Sequence, residues 1–399
     1  MSVLTAALPV ALMVVPYLAS KVLGGRDASS EGAAPKPGGR PWWRAGGMRT
    51  TQHISAALII VPSCMLISPL VQLDTWVPFA IWIAYGLLWI AASLPSSFIH
   101  GPADAPVVSG GAFDFYVAVI LPVYQMSLVA GALHWWYLPL PTIDAIACIA
   151  LAWAGMIFKG GVCMSVCLHR FAAHAAFKAG PLSTFLLCWV GCMGNQGGPI
   201  WWGSQHRVHH KFCDQPRDPH SSKLDGIVAA FAFFSFGRHQ DVEEEFAPPH
   251  LESLAIRLLD TFSGIPVLVE QVLMYKFFGL PGLWISFVSG WTAQTISLWF
   301  NVVNHPPQGH THAGGASCEA SDVTDGASVP TPHPYFRFLN YLLFMVDWVG
   351  EEAHLHHHDY PRCALRPGVD LPGKMLVTPL HALGLITQLQ PTPHMKRRI

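Results

Sequence analysis

The sequence predicts an all-α integral membrane protein, a helical transmembrane bundle carrying a cytosolic helical cap. Three observations lead there. Of 399 residues, 52% are hydrophobic and only 12% charged, about half the charged share of soluble domains. Several uncharged stretches are long enough to cross a hydrocarbon core of about 30 Å. Nine of the 21 His stand in three short runs close behind or between those stretches. A formal net charge of −1 also excludes the basic signature of a nucleic-acid binder.

Taken in order, residues 2–20 are uncharged and apolar, and they lack the basic start and small-residue exit of a signal peptide; they read as a first membrane helix. A Gly/Pro-rich linker follows, with Arg26, Lys36, Arg40, Arg44 and Arg49. Ile54–Leu73 and Trp76–Phe98 form a helical pair across Asp74-Thr75. Residues 1–112 are thus an N-terminal extension of about three spans plus a basic linker. A core over 113–390 begins with Phe115–Leu138 and Thr142–Leu168. Two further spans, about 261–275 and 280–303, meet near Lys276 and Gly279, with Glu270 expected near the interface beside Lys276. Within the core, 306–333 is a Gly/Ser/Thr-rich insertion expected to be flexible, and 391–399 is a basic tail. Basic residues cluster in 25–50, while the turns 74–75 and 139–141 have none. The positive-inside rule then puts 169–260 and the C-terminal region in the cytosol.

Nine Cys, mostly in apolar runs, do not form a secreted disulfide framework. Cys163/Cys167 and Cys188/Cys192 read as small packing residues. Chemistry is expected at three histidine clusters: His169/His174, His206/His209/His210 and His354/His357/His358. In the latter two, positions i, i+3 and i+4 share a helix face, so the clusters could converge eight imidazoles. Asn301 and His305 close the last span one helical turn apart. Nine His exceed a four-ligand structural zinc site, and no Glu-x-x-His di-iron pattern of soluble bundles is present. Two metals with four or five nitrogen ligands each fit the count. Iron suits oxygen activation beside a membrane.

The runs LHRFAAHAAFKAG (168–180), QGGPIWWGSQHRVHHKFCDQPRDPHSS (196–222), NVVNH (301–305) and GEEAHLHHHDYPR (350–362) resemble the membrane-bound fatty-acyl desaturases, nearest the delta-9 stearoyl-CoA and acyl-lipid type. The resemblance covers roughly 115–390. It implies that His169, His174, His206, His209, His210, His305, His354, His357 and His358 ligate two iron ions, with Asn301 acting through a water. No catalytic residue beyond these ligands is implied. O2 would be the co-substrate, a long-chain acyl-CoA or acyl-lipid the substrate, and cytochrome b5 or ferredoxin the type of electron donor. The setting would be the endoplasmic reticulum, the bacterial inner membrane or a plastid membrane, in contact with membrane lipid. Two departures stand out: Leu355 replaces the Asn common after the first His of the third run, and Ser204-Gln205 replaces an Arg-Asp pair of the animal acyl-CoA enzymes.

Around the metals, Glu351, Asp214 and Asp218 are the carboxylates expected to orient imidazoles. Arg170, Lys178, Arg207 and Lys211 are expected to meet a headgroup or the donor. The segment Trp189–Trp202 is a candidate wall of the acyl tunnel. Hydroxylation or oxidative decarboxylation by the same centre is the alternative reaction, and a His-rich metal transporter the alternative class. Transport sites belong at the bilayer midplane, whereas these His follow the spans.

Overall fold

The structure, a computed structural model, describes residues 142–213, 218, 244–304, 346–351 and 353–391. The N-terminal extension, Asp214, His305, the 306–333 insertion and the basic tail lie outside them, as do the side chains of 301–304, Asn301 included.

Helix α1, Thr142–Ile157, continues without a break into a π-helix, Phe158–Ala173. The expected end at Leu168 is therefore five residues short. After strand β1, Lys178–Ala179, come α2, Pro181–Cys192, and α3, Pro199–Phe212. Both helices start Gly-Pro, with Gly180 and Gly198 as extended caps; proline there sacrifices only an N–H that the first turn leaves unbonded. Two short 3-10 turns lead to α4, Leu254–Thr261, and α5, Gly264–Asn304. Next come α6, Val346–Val349; α7, His354–Asp359; a π-turn, Gly373–Val377; α8, Thr378–Ala382; and β2, Ile386–Thr387. Antiparallel pairing of Lys178 with Thr387 and Ala179 with Ile386 is a small departure from an all-α fold.

Two stretches, Asp144–Ala173 and Gly264–Gln294, are long and apolar enough to cross a membrane. The second is not one rod. Gly279 has φ 64° and ψ −150°, and the Ser286 hydroxyl donates to Glu270 Oε1 at 2.9 Å. Sixteen residues along a straight helix would separate them by about 24 Å. The chain therefore reverses at Gly279, with the arms side by side. A Cβ on Gly282 would lie 2.3 Å from the Met274 carbonyl oxygen, so only glycine lets the arms approach so closely there. Glu270 bonds across the hairpin to Ser286 rather than serving simply as an interfacial neighbour of Lys276.

The described residues form two compact units. In one (142–156 and 261–291), Cys148 and Ala152 pack with Ile285 against Trp284 and Val288. Ile146, Ile149, Val272 and Phe277 stay exposed, as lipid-facing positions would. The other unit holds all the described histidine runs. Its core joins Val166, Cys167 and Phe171 of the π-helix to Leu187, Cys188 and Cys192 of α2 and to Ile256 and Leu259 of α4. Small residues set the spacing. A Cβ on Gly191 would stand 2.9 Å from Leu168, and one on Gly161 would be 2.7 Å from the Trp348 carbonyl oxygen.

Candidate metal centre

His169 and His174 are five residues apart, about 140° off a common face in an α-helix of 3.6 residues per turn. The π-helix reduces that offset, because its i→i+5 bonds widen each turn toward five residues. The His174 N–H donates to the His169 carbonyl at 3.2 Å, and the two rings are 5.1 Å apart. The local winding thus brings both rings to one place.

Helix α3 supplies three more. Its first turn is fastened by Asp260 of α4, whose Oδ1 accepts the N–H groups of Ile200 at 2.8 Å and Trp201 at 3.0 Å. A Cβ on Gly198 would stand 2.2 Å from that oxygen, so no side chain fits there. Burial raises the Asp260 carboxyl from 3.8 to about 6, opposed by those two hydrogen bonds.

The rings do not form one cluster of eight. His169, His174, His206, His210 and His357 present ligand atoms all within 4.8 Å of one another, and His209 and His358 form a second group with Cys213. Cys213 is disulfide-bonded and offers no thiolate. His354 stands beside the second group, its ring 4.5 Å from His358. On both α3 and α7 the i+3 and i+4 histidines separate: His210 and His357 join the first group, His209 and His358 the second. His356 stacks obliquely with Tyr360 instead.

The first group fits a metal ion. Nε2 of His357 lies 2.8 Å from Nε2 of both His169 and His210, and His210 Nε2 lies 3.0 Å from His206 Nε2. Ligands at right angles on metal–nitrogen bonds of about 2.0–2.1 Å stand about 2.8–3.0 Å apart. Burial, then neighbouring imidazoles, holds His210 and His357 well below the ordinary imidazole range. For His174, burial is followed by Arg366, Arg207 and Arg362. Neutral rings turning bare nitrogens toward one point suit a bound cation. His174 Nε2 is buried without a hydrogen-bond partner.

Buried acids back the rings. Glu351 Oε1 is 2.9 Å from His169 Nδ1, and both Asp218 oxygens are 3.0 Å from His209 Nδ1. Glu351 also accepts from the Ser165 hydroxyl and pairs with Arg366. Burial and the Arg170 charge pull Arg366 well below its usual range, against Asp370, yet guanidinium basicity keeps it charged.

The four basic residues expected at a headgroup or donor surface divide. Lys178 and Lys211 are exposed. Arg207 is half-buried, donating to the Ala173 and Ala247 carbonyls. Arg170 is 0% exposed. It forms a two-pronged ion pair with Asp370 at 2.7 and 2.8 Å, which removes it from any such surface. Of the Trp189–Trp202 segment, Trp202 reaches the site: it stacks on His206 at 4.8 Å, and its indole N–H donates to Gln196. Sequence reasoning missed Arg366, Asp370, Ser165 and Asp260. The only signal for them was polar character inside apolar surroundings.

No protein-family profile matches the chain. It is 41% identical over 95 residues to a hex-5-enoyl-(acyl-carrier protein) acetylenase of Moorena producens (strain JHB), covering 24% of this chain and 28% of that protein. It is 31% identical over 175 residues to the chloroplastic palmitoyl-monogalactosyldiacylglycerol delta-7 desaturase of Arabidopsis thaliana, covering 43% and 44%. Delta-9 acyl-lipid desaturase 2 of the same plant is 42% identical over 73 residues, covering 18% and 24%. The chain matches less than half the length of each of these relatives. By these similarities it is related to the fatty acyl desaturases, the delta-9 acyl-lipid type among them.

Proposed function

We propose that the chain is a multi-pass membrane fatty acyl desaturase that introduces a cis double bond of the delta-9 type into a saturated acyl chain. With O2, two electrons and two protons, the removal of two hydrogens from adjacent methylenes gives the alkene and two waters. The electrons would come from a separate cytochrome b5 or ferredoxin type donor. The acyl chain would arrive as a CoA thioester or in a lipid; relatives carry names of both kinds. The single observation behind the reading is the five-imidazole group with nitrogens 2.8–3.0 Å apart, beside a second histidine group.

Two iron ions would supply the oxidising power that no side chain has against unactivated C–H bonds. His169, His174, His206, His210 and His357 would hold one; His209, His354 and His358 would hold the other, completed by His305 and by Asn301 through a water. The protein's own work is orientation. Glu351 and Asp218 accept the Nδ1 protons of His169 and His209, which turns each Nε2 inward. Trp202 covers the His206 ring on one side, a place for it in the wall that fixes which carbons come near. Lys178, Lys211 and Arg207 are the cations left for a headgroup or the donor, on the cytosolic face.

The test is expression in a desaturase-deficient host with mass spectrometry of total fatty acids. New cis-monoenes that vanish with His357→Ala and with His209→Ala support the proposal. Hydroxy acids or 1-alkenes as the main products overturn desaturation in favour of hydroxylation or decarboxylation.

A further inference from the structure

Arg366 is a cation buried among metal-ligand candidates, and nothing in the proposed chemistry requires a positive charge there. Its side chain is 2% exposed. Nη1 pairs with Glu351 Oε2 and lies 3.4 Å from the Gly350 carbonyl oxygen. Nη2 stands 3.1 Å from His169 Nδ1 and 3.4 Å from His357 Nδ1. The guanidinium thus touches the outer edges of two rings whose inner nitrogens are 2.8 Å apart.

Its own backbone is fixed with equal care. The Arg366 N–H donates to Asp370 Oδ2 at 2.8 Å. Asp370 grips Arg170 through both oxygens and accepts the Gly373 N–H at 3.2 Å. A Cβ on Gly373 would lie 2.2 Å from Asp370 Oδ2, and one on Gly350 would lie 2.7 Å from both Arg170 and Asp370. Gly350 also has φ 74°, a region open to glycine. The loop leaves the Arg366 side chain little freedom to move.

Glu351 receives three donors: Ser165 and His169 on Oε1, Arg366 on Oε2. A carboxylate only accepts, so the proton shared with His169 sits on Nδ1 and the Nε2 lone pair faces the group. Without Arg366, Oε2 has no fixed donor, and the carboxylate can turn away from Nδ1. We propose that Arg366 is a positioning residue: it holds Glu351 against the Nδ1–H of His169, and so aims the His169 Nε2 lone pair into the five-imidazole group. This rests on the reading that the group binds iron.

The test is anaerobic loading of the full chain in detergent with 57Fe(II) alone, read by metal analysis and Mössbauer spectroscopy. Arg366→Gln should fold, as judged by size exclusion and melting, yet retain about half the wild-type iron, because one of two sites loses the carboxylate that orients its His169 ligand. Arg366→Lys should restore the iron, since an ammonium still reaches Glu351. It should also displace one Mössbauer doublet and not the other, because its single ammonium holds Glu351, and through it the His169 ring, in a changed position. Folded Arg366→Gln with full iron and an unchanged spectrum overturns the inference, as does even loss from both sites. If Arg366→Gln does not fold, Arg366→Lys decides: two unchanged doublets overturn it. Failure of both variants to fold makes Arg366 a folding determinant and also overturns it. Wild-type protein that binds no iron removes the metal reading and this inference together.

Discussion

Asp218 places both carboxylate oxygens 3.0 Å from His209 Nδ1 and is 0% exposed. A ring held by a buried carboxylate keeps one tautomer and one orientation, and losing such a partner weakens metal binding by about 10–100-fold. Asp218→Ala should therefore release iron from the second group at a chelator concentration that leaves the first group loaded, as a competition titration would measure. Equal release from both groups would show that Asp218 serves the fold rather than His209. At this scale the histidines were legible, since repeated short spacings are rare by chance. Arg170 was misread. A basic residue behind a membrane span normally lies at the interface, but its partner Asp370 is 200 positions away, and no local pattern announces such a pairing.

The elements explain why histidines that share a helix face need not join one group. His206 and His210 of α3 turn to one group while His209 turns to the other, so the helix serves both and its placement matters to both. Asp260 sets that placement by fastening the first turn of α3. Its carboxyl, ordinarily near 3.8, is raised by burial to about 6 in the folded protein. Between these values the folded chain binds the proton more tightly than the unfolded one. The Asp260 contribution to stability is therefore fully present below about pH 4 and is lost as pH rises through about 6, up to about 3 kcal/mol. Asp260→Asn keeps an oxygen acceptor and has no proton to exchange. The stability of wild type relative to Asp260→Asn should fall from pH 4 to pH 6.5, followed by thermal melting in detergent. A difference flat with pH would mean that Asp260 is not raised. The break at Gly279 was readable, because Gly followed closely by Pro interrupts an apolar run. The π-winding of Phe158–Ala173 was not: it shifts no polarity pattern, and it alone makes a five-residue spacing productive.

For the whole molecule, composition pointed to a membrane protein, and the described spans agree with it in hydropathy and in exposed apolar side chains. The sidedness proposed above can be tested directly. If the stretch Asp144–Ala173 crosses once, the run at 169–174 closes it and the run at 206–210 follows on the side where it ends. In the multi-pass arrangement proposed above, the hairpin at Gly279 begins and ends on that same side. The arms are unequal: 15 residues from Gly264 to Phe278 reach about 22 Å, less than the roughly 30 Å core, whereas residues 280–304 suffice to cross it. Lys178 and Lys211 are exposed and are therefore fit reporters of sidedness. Lys178→Cys and Lys211→Cys should react with a membrane-impermeant maleimide in inside-out vesicles and stay unlabelled in intact cells, with the unsubstituted chain as blank. Labelling of both from outside would reverse the orientation. Labelling of the two from opposite sides would break the single-compartment arrangement, and with it a shared site.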